Sequence, residues 1–187
     1  RLMSRGLGDV YKRQEFQAIV NSEARKSSSL NHTATHLLHY ALKIIFGSHV
    51  KQKGSMVNPN YLRFDFSHTA KLSNDELSEV ETFVNELIDK STDLYEQNDV
   101  PYKDAIDGGA CSLFSEKYGD RVRIITFGGS KELCGGTHAN NTSDLWYFKI
   151  ISESSVASGI RRIEAITGDK VKTCLLYTSD AADEVAG

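Results

Sequence analysis

Two short segments about a hundred residues apart carry the side chains that most constrain how this chain folds. In LNHTATHLLHYAL, His32 and His36 are one helical turn apart, and in ELCGGTH, Cys134 and His138 are four positions apart. Imidazoles spaced i, i+4 on a helix project to one side, with about 5–6 Å between their Cβ atoms. Three imidazoles and one thiolate match the ligand set of a tetrahedral Zn²⁺, and sulfur disfavours Mg²⁺ and Ca²⁺. If all four bind one ion, the two segments must meet in the folded chain.

Neither spacing is specific by itself, because histidines recur at i, i+4 by chance. Paired glycines weaken a helix, so residues 134–138 are expected to form a tight turn that folds the thiolate and the imidazole toward one point. His39 shares nearly the same helical face as His32 and is expected to be partly exposed or to support a ligand. His49 and His68 are expected in polar loops.

The composition is that of one globular domain. The 187 residues are 40% hydrophobic and 25% charged, and no apolar run approaches the ~20 residues of a membrane helix. No signal-peptide pattern is present at the start, so a cytoplasmic protein is expected. Three cysteines offer no disulfide framework, which leaves Cys134 as a ligand and Cys111 as a small buried apolar group.

The two ends of the chain differ from the part between them. Segments 1–14 and 174–187 lack an amphipathic period and resemble translated adapter sequence, so we interpret them as non-native tails, with real flexible tails as the alternative. Residues 15–22 are expected to end a preceding segment, with a strand at 15–21, and 23–173 to form the functional domain. The tails contribute +3 and −3, so residues 15–173 keep the net charge of −3. This charge argues against a surface that coats nucleic acid broadly.

The hydrophobic pattern predicts two long helices among several strands. A polar loop at 23–30 is expected to precede a helix at 32–46, with Asn31 as its N-cap and Gly47 at its end. The second helix follows a capping-box pattern at 73–76, and a hairpin is expected to turn at Asn58 and Pro59. The pattern favours an α+β class with a largely antiparallel sheet packed on two long helices, and a zinc site between the first helix and the glycine-rich turn. Strands are expected at 54–57, 61–66, 121–127, 146–152 and 160–167, with an extended segment at 94–103 and a short helix within 104–116.

Six motifs follow one another along residues 21–173: HTATHLLHYAL, QKGSMV, LRFDFSH, LFSEKYGDRVRI, GSKELCGGTH and GIRRIEAITG. Together they resemble the editing domain of alanyl-tRNA synthetase. Free-standing alanyl-tRNA editing proteins share this module, and the editing domain of threonyl-tRNA synthetase is a more distant relative. The chain departs from the family after ELCGGTH, where it has Ser143 and Trp146 in place of a glycine-containing turn. The resemblance implies that Zn²⁺ is held by His32, His36, Cys134 and His138.

The resemblance also implies an activity, the zinc-dependent hydrolysis of mischarged Ser-tRNA(Ala) and Gly-tRNA(Ala). Zn²⁺ would position the ester or polarise an attacking water. The expected partner is the acceptor end of tRNA(Ala), with no DNA or membrane, and the remainder of a synthetase in cis if the chain is a fragment. Without an aminoacylation domain, the chain is not expected to charge tRNA. The alternatives are a free-standing editor with the same chemistry, a structural zinc module and a non-catalytic, zinc-stabilised tRNA-binding module.

Four residues are candidates for catalysis beside the ligands. Thr33 directly follows the first ligand and would bond a serine hydroxyl, or else it satisfies the first helical turn. Gln52 matches a family position near the editing pocket and would orient substrate or water, or else it is a strand-edge amide. Gly135 and Gly136 would present backbone N–H groups to a developing oxyanion.

Basic residues are candidates for contact with tRNA phosphates. Arg161 and Arg162 are expected on opposite faces of a strand, so one would bind phosphate and the other would pair within the fold with Glu164 or Asp65. Further phosphate candidates are Lys51, Lys53 and Arg63.

Overall fold

The computed structural model describes residues 17–113 and 118–174, which form two antiparallel sheets with two long helices. This confirms the predicted α+β class. No helix in these two ranges has the length and apolar character needed to cross a bilayer. In chain order the elements are α1 (Ser22–Phe46), β1 (Gln52–Val57), β2 (Leu62–Ser67), α2 (Asn74–Asp89), β3 (Tyr95–Pro101), α3 (Tyr102–Asp107), β4 (Arg121–Phe127), β5 (Ser130–Leu133), a 3₁₀ helix (Thr142–Leu145), β6 (Phe148–Ala157), β7 (Ile160–Thr167) and the helical residues 169–174.

The first helix begins ten residues before the predicted start. Its N-cap is Asn21, whose side chain accepts a hydrogen bond from the Ala24 N–H at 2.9 Å. The loop predicted at 23–30 is therefore wrong, and so is the cap at Asn31. Residues 17–21 form no strand, whereas the rest of the strand predicted at 15–21 and most of both tails lie outside the described residues. The predicted end is confirmed, because Gly47 follows Phe46 with a φ of +99°.

Tertiary contacts stabilise α1 where it contains three consecutive serines, at residues 27–29. Asn31 is buried inside the helix, where its side-chain amide donates to Asn58 O and accepts from Thr167 Oγ1, both at 2.8 Å. Leu30 packs on the core one position earlier. Serine has only moderate helix propensity, so these contacts explain a helix that local preference does not predict.

A four-stranded sheet in the order β1-β2-β7-β6 packs against both long helices. The predicted β1–β2 hairpin is confirmed, with the Asn58 side chain accepting from the Asn60 and Tyr61 N–H groups at 2.8 and 3.1 Å. Alternation along β2 buries Phe64 and Phe66 on one face. Burying such a side chain contributes about 1.5–3 kcal/mol relative to leaving it exposed. Other members of this core are Leu37, Leu38, Leu42, Val80, Val84, Ile88, Phe148 and Ile163.

The capping box that opens α2 is also confirmed. The Ser73 hydroxyl accepts from the Glu76 N–H at 3.2 Å, and the Glu76 carboxylate accepts from the Ser73 N–H at 2.7 Å. The helix turns Val80, Val84 and Ile88 toward the core as its period predicts.

A second sheet, in the order β3-β4-β5, carries the cysteine segment. β5 was not predicted, since SKEL is short and does not alternate. The extended segment predicted at 94–103 ends at Pro101. The short helix predicted within 104–116 is α3, which starts two residues earlier, at Tyr102, and ends at Asp107. Residues 114–116 of the predicted range lie outside the described part. A smaller core lies under this sheet and comprises Ala105, Ala110, Val122, Ile124 and Leu133.

The strand predicted at 146–152 begins two residues later, at Phe148. Trp146 has a φ of +60°, a region that glycine enters readily and other residues rarely. This turn follows the 3₁₀ helix and separates it from β6. The last strand, β7, has the predicted bounds.

Candidate metal centre

The helix α1 presents two of the four predicted ligands on one side. His32 and His36 are one turn apart, and their ring centroids are 5.1 Å apart at an interplanar angle of 83°. His36 is 3% exposed, which places it deep against the second sheet. The i, i+4 spacing therefore puts both rings side by side on the same face of α1, as expected for a helix.

The other two predicted ligands come from the segment that follows β5. Cys134 is the residue after that strand, and its Sγ lies 3.5 Å from His32 Nε2 and 3.4 Å from His138 Nε2. The His138 ring stacks on His32 with centroids 4.2 Å apart and lies 4.6 Å from His36. The structure thus brings the two distant segments together, with one potential ligand atom from each of the four residues within 4.8 Å of the others.

The distances between these atoms fit a tetrahedral zinc site. Zn–S bonds of about 2.3 Å and Zn–N bonds of about 2.0–2.1 Å at tetrahedral angles place sulfur and nitrogen about 3.6 Å apart. The two Sγ···Nε2 distances, 3.5 and 3.4 Å, match this separation. The residues present therefore fit a metal of this preference, and a soft thiolate with imidazoles favours Zn²⁺ among the common divalent ions.

Each ligand histidine turns its other nitrogen toward a neighbouring acceptor. His32 Nδ1 lies 3.2 Å from Thr137 O, and His138 Nδ1 lies 3.1 Å from Thr33 Oγ1. A proton on Nδ1 leaves the lone pair of Nε2 for a metal, and such outer partners orient metal-binding histidines generally. The Thr137 carbonyl can only accept, so it favours the proton on His32 Nδ1 that a metal site requires, and the Thr33 hydroxyl is able to accept from His138 Nδ1 in the same tautomer.

His36 is supported by a buried carboxylate. Its Nδ1 lies 3.3 Å from Glu132 Oε2, without the angle of a good hydrogen bond. The other oxygen, Glu132 Oε1, lies 2.6 Å from His39 Nδ1. All three side chains are buried, so Glu132 links a metal-side imidazole to a second imidazole behind it. His39 is therefore not partly exposed; it takes the supporting position that was the other alternative.

Burial lowers the pKa of all three ligand histidines. The pKa of His36 lies well below its ordinary value, and that of His138 falls to about 3; in both, desolvation is the main cause and a neighbouring imidazole the next. Desolvation also lowers the pKa of His32. The imidazoles are thus neutral near pH 7, the form that binds a metal. Burial raises the pKa of the Cys134 thiol, and a bound metal would favour its thiolate.

Arg123 on β4 holds the cysteine segment in place. Its NH1 donates to Gly136 O at 2.6 Å and to Cys134 O at 3.2 Å, and its NH2 pairs with Glu96 at 2.7 Å. The guanidinium satisfies both of these backbone carbonyls. Its positive charge near the cluster also lowers the pKa values of the three histidines further.

A cavity of about 230 Å³, hereafter the metal-side cavity, opens next to the cluster. Gln52 lies at its edge, at the start of β1, with its side-chain amide donating to Ser55 Oγ at 3.0 Å. The cavity is lined by His32, Thr35, His36, Gln52, Ser55, Leu113, Tyr118, Leu133, Cys134 and Gly135.

Thr33, Gly135 and Gly136 differ in whether their hydrogen-bonding groups are free to contact a bound molecule. The Thr33 hydroxyl is buried and accepts from the Ala139 N–H at 3.0 Å while contacting His138. It does not satisfy the first helical turn, because α1 begins at Ser22, and direct contact with a substrate would break these bonds. The Gly136 N–H donates to Cys134 Sγ at 3.4 Å. The Gly135 N–H has no hydrogen-bond partner in the described part of the chain, so it is the better placed of the two for an oxyanion.

The predicted phosphate-binding arginines are paired within the fold. Arg161 makes two hydrogen bonds to Glu153 at 2.5 and 2.7 Å, and Arg162 makes two to Asp65 at 2.7 and 2.8 Å. The pairing of one arginine with Asp65 was among the alternatives, whereas the pairing of the other with Glu153 was not predicted. A phosphate approaching either arginine would meet the negative charge of its carboxylate partner, and phosphate binding by them stays a prediction.

Of the remaining candidates, Lys53 and Arg63 lie on the hairpin β1–β2, and Lys51 directly precedes β1. Lys53 is exposed, whereas Arg63 Nε is 3.9 Å from Asp65 Oδ1 and is buried without a hydrogen bond.

Sequence reasoning missed Glu132 and Arg123. An acid two positions before a predicted ligand was a usable signal for Glu132, since metal-binding histidines commonly contact carboxylates; Arg123 had no such signal.

Comparison with known proteins agrees with these observations. Residues 122–164 match the family described as the threonyl and alanyl tRNA synthetase second additional domain. The alanine–tRNA ligase of Flavobacterium psychrophilum is 56% identical over 170 residues, which are 91% of this chain and 19% of that protein. The alanine–tRNA ligase of Christiangramia forsetii is 62% identical over 155 residues, 83% of this chain and 18% of that protein. The chain thus spans about a fifth of the length of these relatives.

Proposed function

We propose that this chain, which is homologous to the editing-domain region of alanyl-tRNA synthetases, is an esterase. Its proposed substrate is the ester of tRNA(Ala) mischarged with serine or glycine. The same chemistry suits an editing segment within a synthetase and a free-standing editor. The acceptor end of tRNA(Ala) is the proposed partner.

The observation that carries this proposal is the cavity beside the four-residue cluster. Four protein ligands fill a tetrahedral zinc shell, so a substrate would have to lie beside the ligands, where this cluster has open space. Here the ligands His32, His36 and Cys134 also line the metal-side cavity. Its volume of about 230 Å³ suits a small aminoacyl group better than a large side chain.

The chain's own residues would bind and orient the ester. Bound Zn²⁺, held by the three histidines and Cys134, would supply positive charge beside the ester. The Gln52 amide at the cavity edge would orient the carbonyl or the attacking water. The Gly135 N–H would donate to the carbonyl oxygen as negative charge develops there. Thr33 would act through His138, whose ring it orients.

The need for such a site follows from the size of alanine. A synthetic site that accepts alanine cannot strongly exclude the smaller glycine, nor serine with one added hydroxyl; discrimination against a hydroxyl-bearing near-isostere is about 10² in comparable cases. A second site with different selectivity removes the wrong products. It must also spare Ala-tRNA(Ala), which defines the test.

The test compares deacylation of Ser-tRNA(Ala) and Ala-tRNA(Ala) by the zinc-loaded chain under single-turnover conditions. The seryl ester should be hydrolysed faster, and Cys134→Ala should reduce that rate to the spontaneous one. His49→Gln is the matched control, because His49 is an exposed histidine outside the cluster, 3.0 Å from His68. Spontaneous rates for both esters with the unaltered, zinc-loaded chain would refute the proposal.

A structural role for zinc is the second candidate, favoured by the way the cluster joins α1 to the segment after β5. In that case chelation would unfold the chain, and a metal-free state with native circular dichroism would not exist. Chelation that stops hydrolysis but leaves the secondary structure intact would support catalysis instead.

A further inference from the structure

We propose that a second cavity, next to the metal-side cavity, binds the phosphates at the 3′-terminal nucleotides of an RNA. This inference rests on the proposed function, because it places the RNA end whose ester would enter the metal-side cavity. The second cavity, hereafter the lysine cavity, measures about 370 Å³ and borders on Lys43, Lys51 and Lys53. Its lining is completed by His39, Ser48, Val50, Gln52, Cys111, Ser112 and Leu113.

The residues that line the lysine cavity carry positive charge and no carboxylate, and Glu132 lies behind His39, whose ring it already contacts. None of the residues that line it, within the described ranges, is Asp or Glu. Lys43 contacts only Cys111 Sγ, at 3.8 Å, and no ion pair of Lys51 or Lys53 occurs between described residues. Cationic side chains grouped around a concave surface attract anions and raise their local concentration.

Three of the chain's arginines are not available in this way. Arg123, Arg161 and Arg162 each form a close ion pair with a carboxylate. A phosphate approaching one of them would meet the negative charge of its carboxylate partner, whereas none of the three lysines has an ion pair with a described residue. The charge available to a phosphate next to the metal-side cavity is therefore lysine charge.

The two cavities are neighbours and differ in size. Gln52 and Leu113 line both of them, and His39 of the lysine cavity contacts Glu132, which in turn contacts His36 of the metal-side cavity. The metal-side cavity suits an aminoacyl group, and the larger one is of the size that ligand pockets of roughly 300–1,000 Å³ have. One terminal nucleotide could thus place its ester beside Gln52 and its phosphates among the lysines.

Lys43 has a second role that must be separated from phosphate binding. It lies in the last turn of α1, where a cation interacts favourably with the negative end of the helix dipole. A purely structural role would change stability but not the salt dependence of RNA binding. The salt dependence is therefore the decisive measurement.

The experiment measures binding of the full chain to a fluorescent minihelix that carries the tRNA(Ala) acceptor stem and its single-stranded CCA end, over a range of salt. The variant with Lys43→Gln, Lys51→Gln and Lys53→Gln is compared with a control carrying Lys90→Gln, Lys103→Gln and Lys170→Gln. The control lysines are exposed and have no ion pair with a described residue, so both variants lose the same charge. Each phosphate contact on a single strand contributes about 0.7 to the slope of log affinity against log salt, so the cavity variant should lose about 2 from that slope. The control should keep the slope.

Two further probes identify the source of the phosphate. Removing the CCA nucleotides from the minihelix should abolish the difference between the cavity variant and the control. Inorganic phosphate at millimolar concentration should not displace the minihelix; if it does, the cavity is a free-phosphate site and the inference is wrong. An equal loss in both variants, or no binding of the minihelix by the unaltered chain, also overturns it.

Failure of the proposed function gives a different pattern. If the seryl ester is not hydrolysed but binding depends on the three lysines and the CCA end, the RNA site stands without the hydrolase. If the ester is hydrolysed and the cavity variant binds and reacts like the control, the hydrolase stands without the lysine site.

Discussion

The imidazole of His32 packs so closely on Gly136 that a Cβ on that glycine would overlap the ring. Gly135, one residue earlier, has no atom within 4 Å of the position a Cβ would take. The two glycines of CGGTH therefore differ in packing: Gly136 leaves room for the His32 ring, and Gly135 borders the metal-side cavity.

Substituting these glycines should give opposite results for metal binding. Gly136→Ala should displace the His32 ring and weaken zinc binding by about tenfold or more, a loss of about 1.4 kcal/mol. Gly135→Ala should bind zinc like the unaltered chain, because its methyl group meets no atom. The zinc dissociation constant, measured by competition with a chromophoric chelator, checks both. Equal affinities for the two variants would contradict the packing argument.

Glu132→Gln should weaken metal binding without removing a ligand. Loss of an outer carboxylate partner typically costs 10–100-fold in metal affinity, and the glutamine keeps the side-chain volume. The absorption spectrum of the Co²⁺-loaded variant should also change, since His36 loses its orientation. Glu79→Gln, on the exposed face of α2, is the control. An unchanged spectrum and affinity in Glu132→Gln would show that the carboxylate does not position His36.

Thr33→Val should destabilise the metal-free chain more than Thr35→Val does. Both threonines are buried, but the Thr33 hydroxyl is the partner of the Ala139 N–H and of His138, whereas the Thr35 hydroxyl donates only to Asn31 O within its own helix. An unpaired buried donor costs about 1–3 kcal/mol. Urea unfolding in the presence of a chelator measures the difference. A Thr35→Val variant that is equally unstable would contradict it.

The ion pair between Glu96 and Arg123 should make stability depend on pH in acid. Hydrogen bonding to Arg123 is the main cause that lowers the pKa of Glu96 from 4.5 to about 2. Between these values the unfolded chain binds the proton and the folded chain does not, so the free energy of unfolding falls as the pH falls. The pair's contribution is present above about pH 4.5 and disappears near pH 2.

The matched variant for this prediction is Glu96→Gln. Chemical unfolding at a series of pH values should show a stability difference from the unaltered chain at pH 6 that shrinks as the pH is lowered toward 2. The difference should be small, since both side chains are partly exposed. A difference that grows on acidification would have the wrong sign for this pair.

Features with a local cause could be predicted from the sequence. The capping box at Ser73 and the hairpin turn at Asn58 are satisfied by residues within three positions, so their signals lie in a few adjacent letters. The start of α1 shows the limit of this reasoning. Asn21 and Asn31 are equally good caps by residue type, and only the bonds of Asn31 to Asn58 and Thr167 place it inside the helix.

The pairing of Arg161 shows why strand contacts are harder to predict. β6 has irregular register between Ile150 and Ser152 and again between Ser155 and Ala157. Arg161 is opposite Ser155 in the ladder, and its carboxylate partner is Glu153, two residues away on the same strand. Such diagonal contacts depend on the register and bulges of a sheet, which are not read from either strand alone.

The number and type of donor atoms available to a metal could be read from the amino-acid sequence, because the side chains of HTATH and CGGTH are covalent parts of the chain. Tertiary structure alone decided what surrounds those donors: Glu132 behind His36, Arg123 across the cysteine segment, and three lysines around a neighbouring cavity. The physical reason is that a ligand spacing within one helical turn is set by local geometry, whereas burial, charge pairing and cavity shape arise only when distant segments exclude water between them.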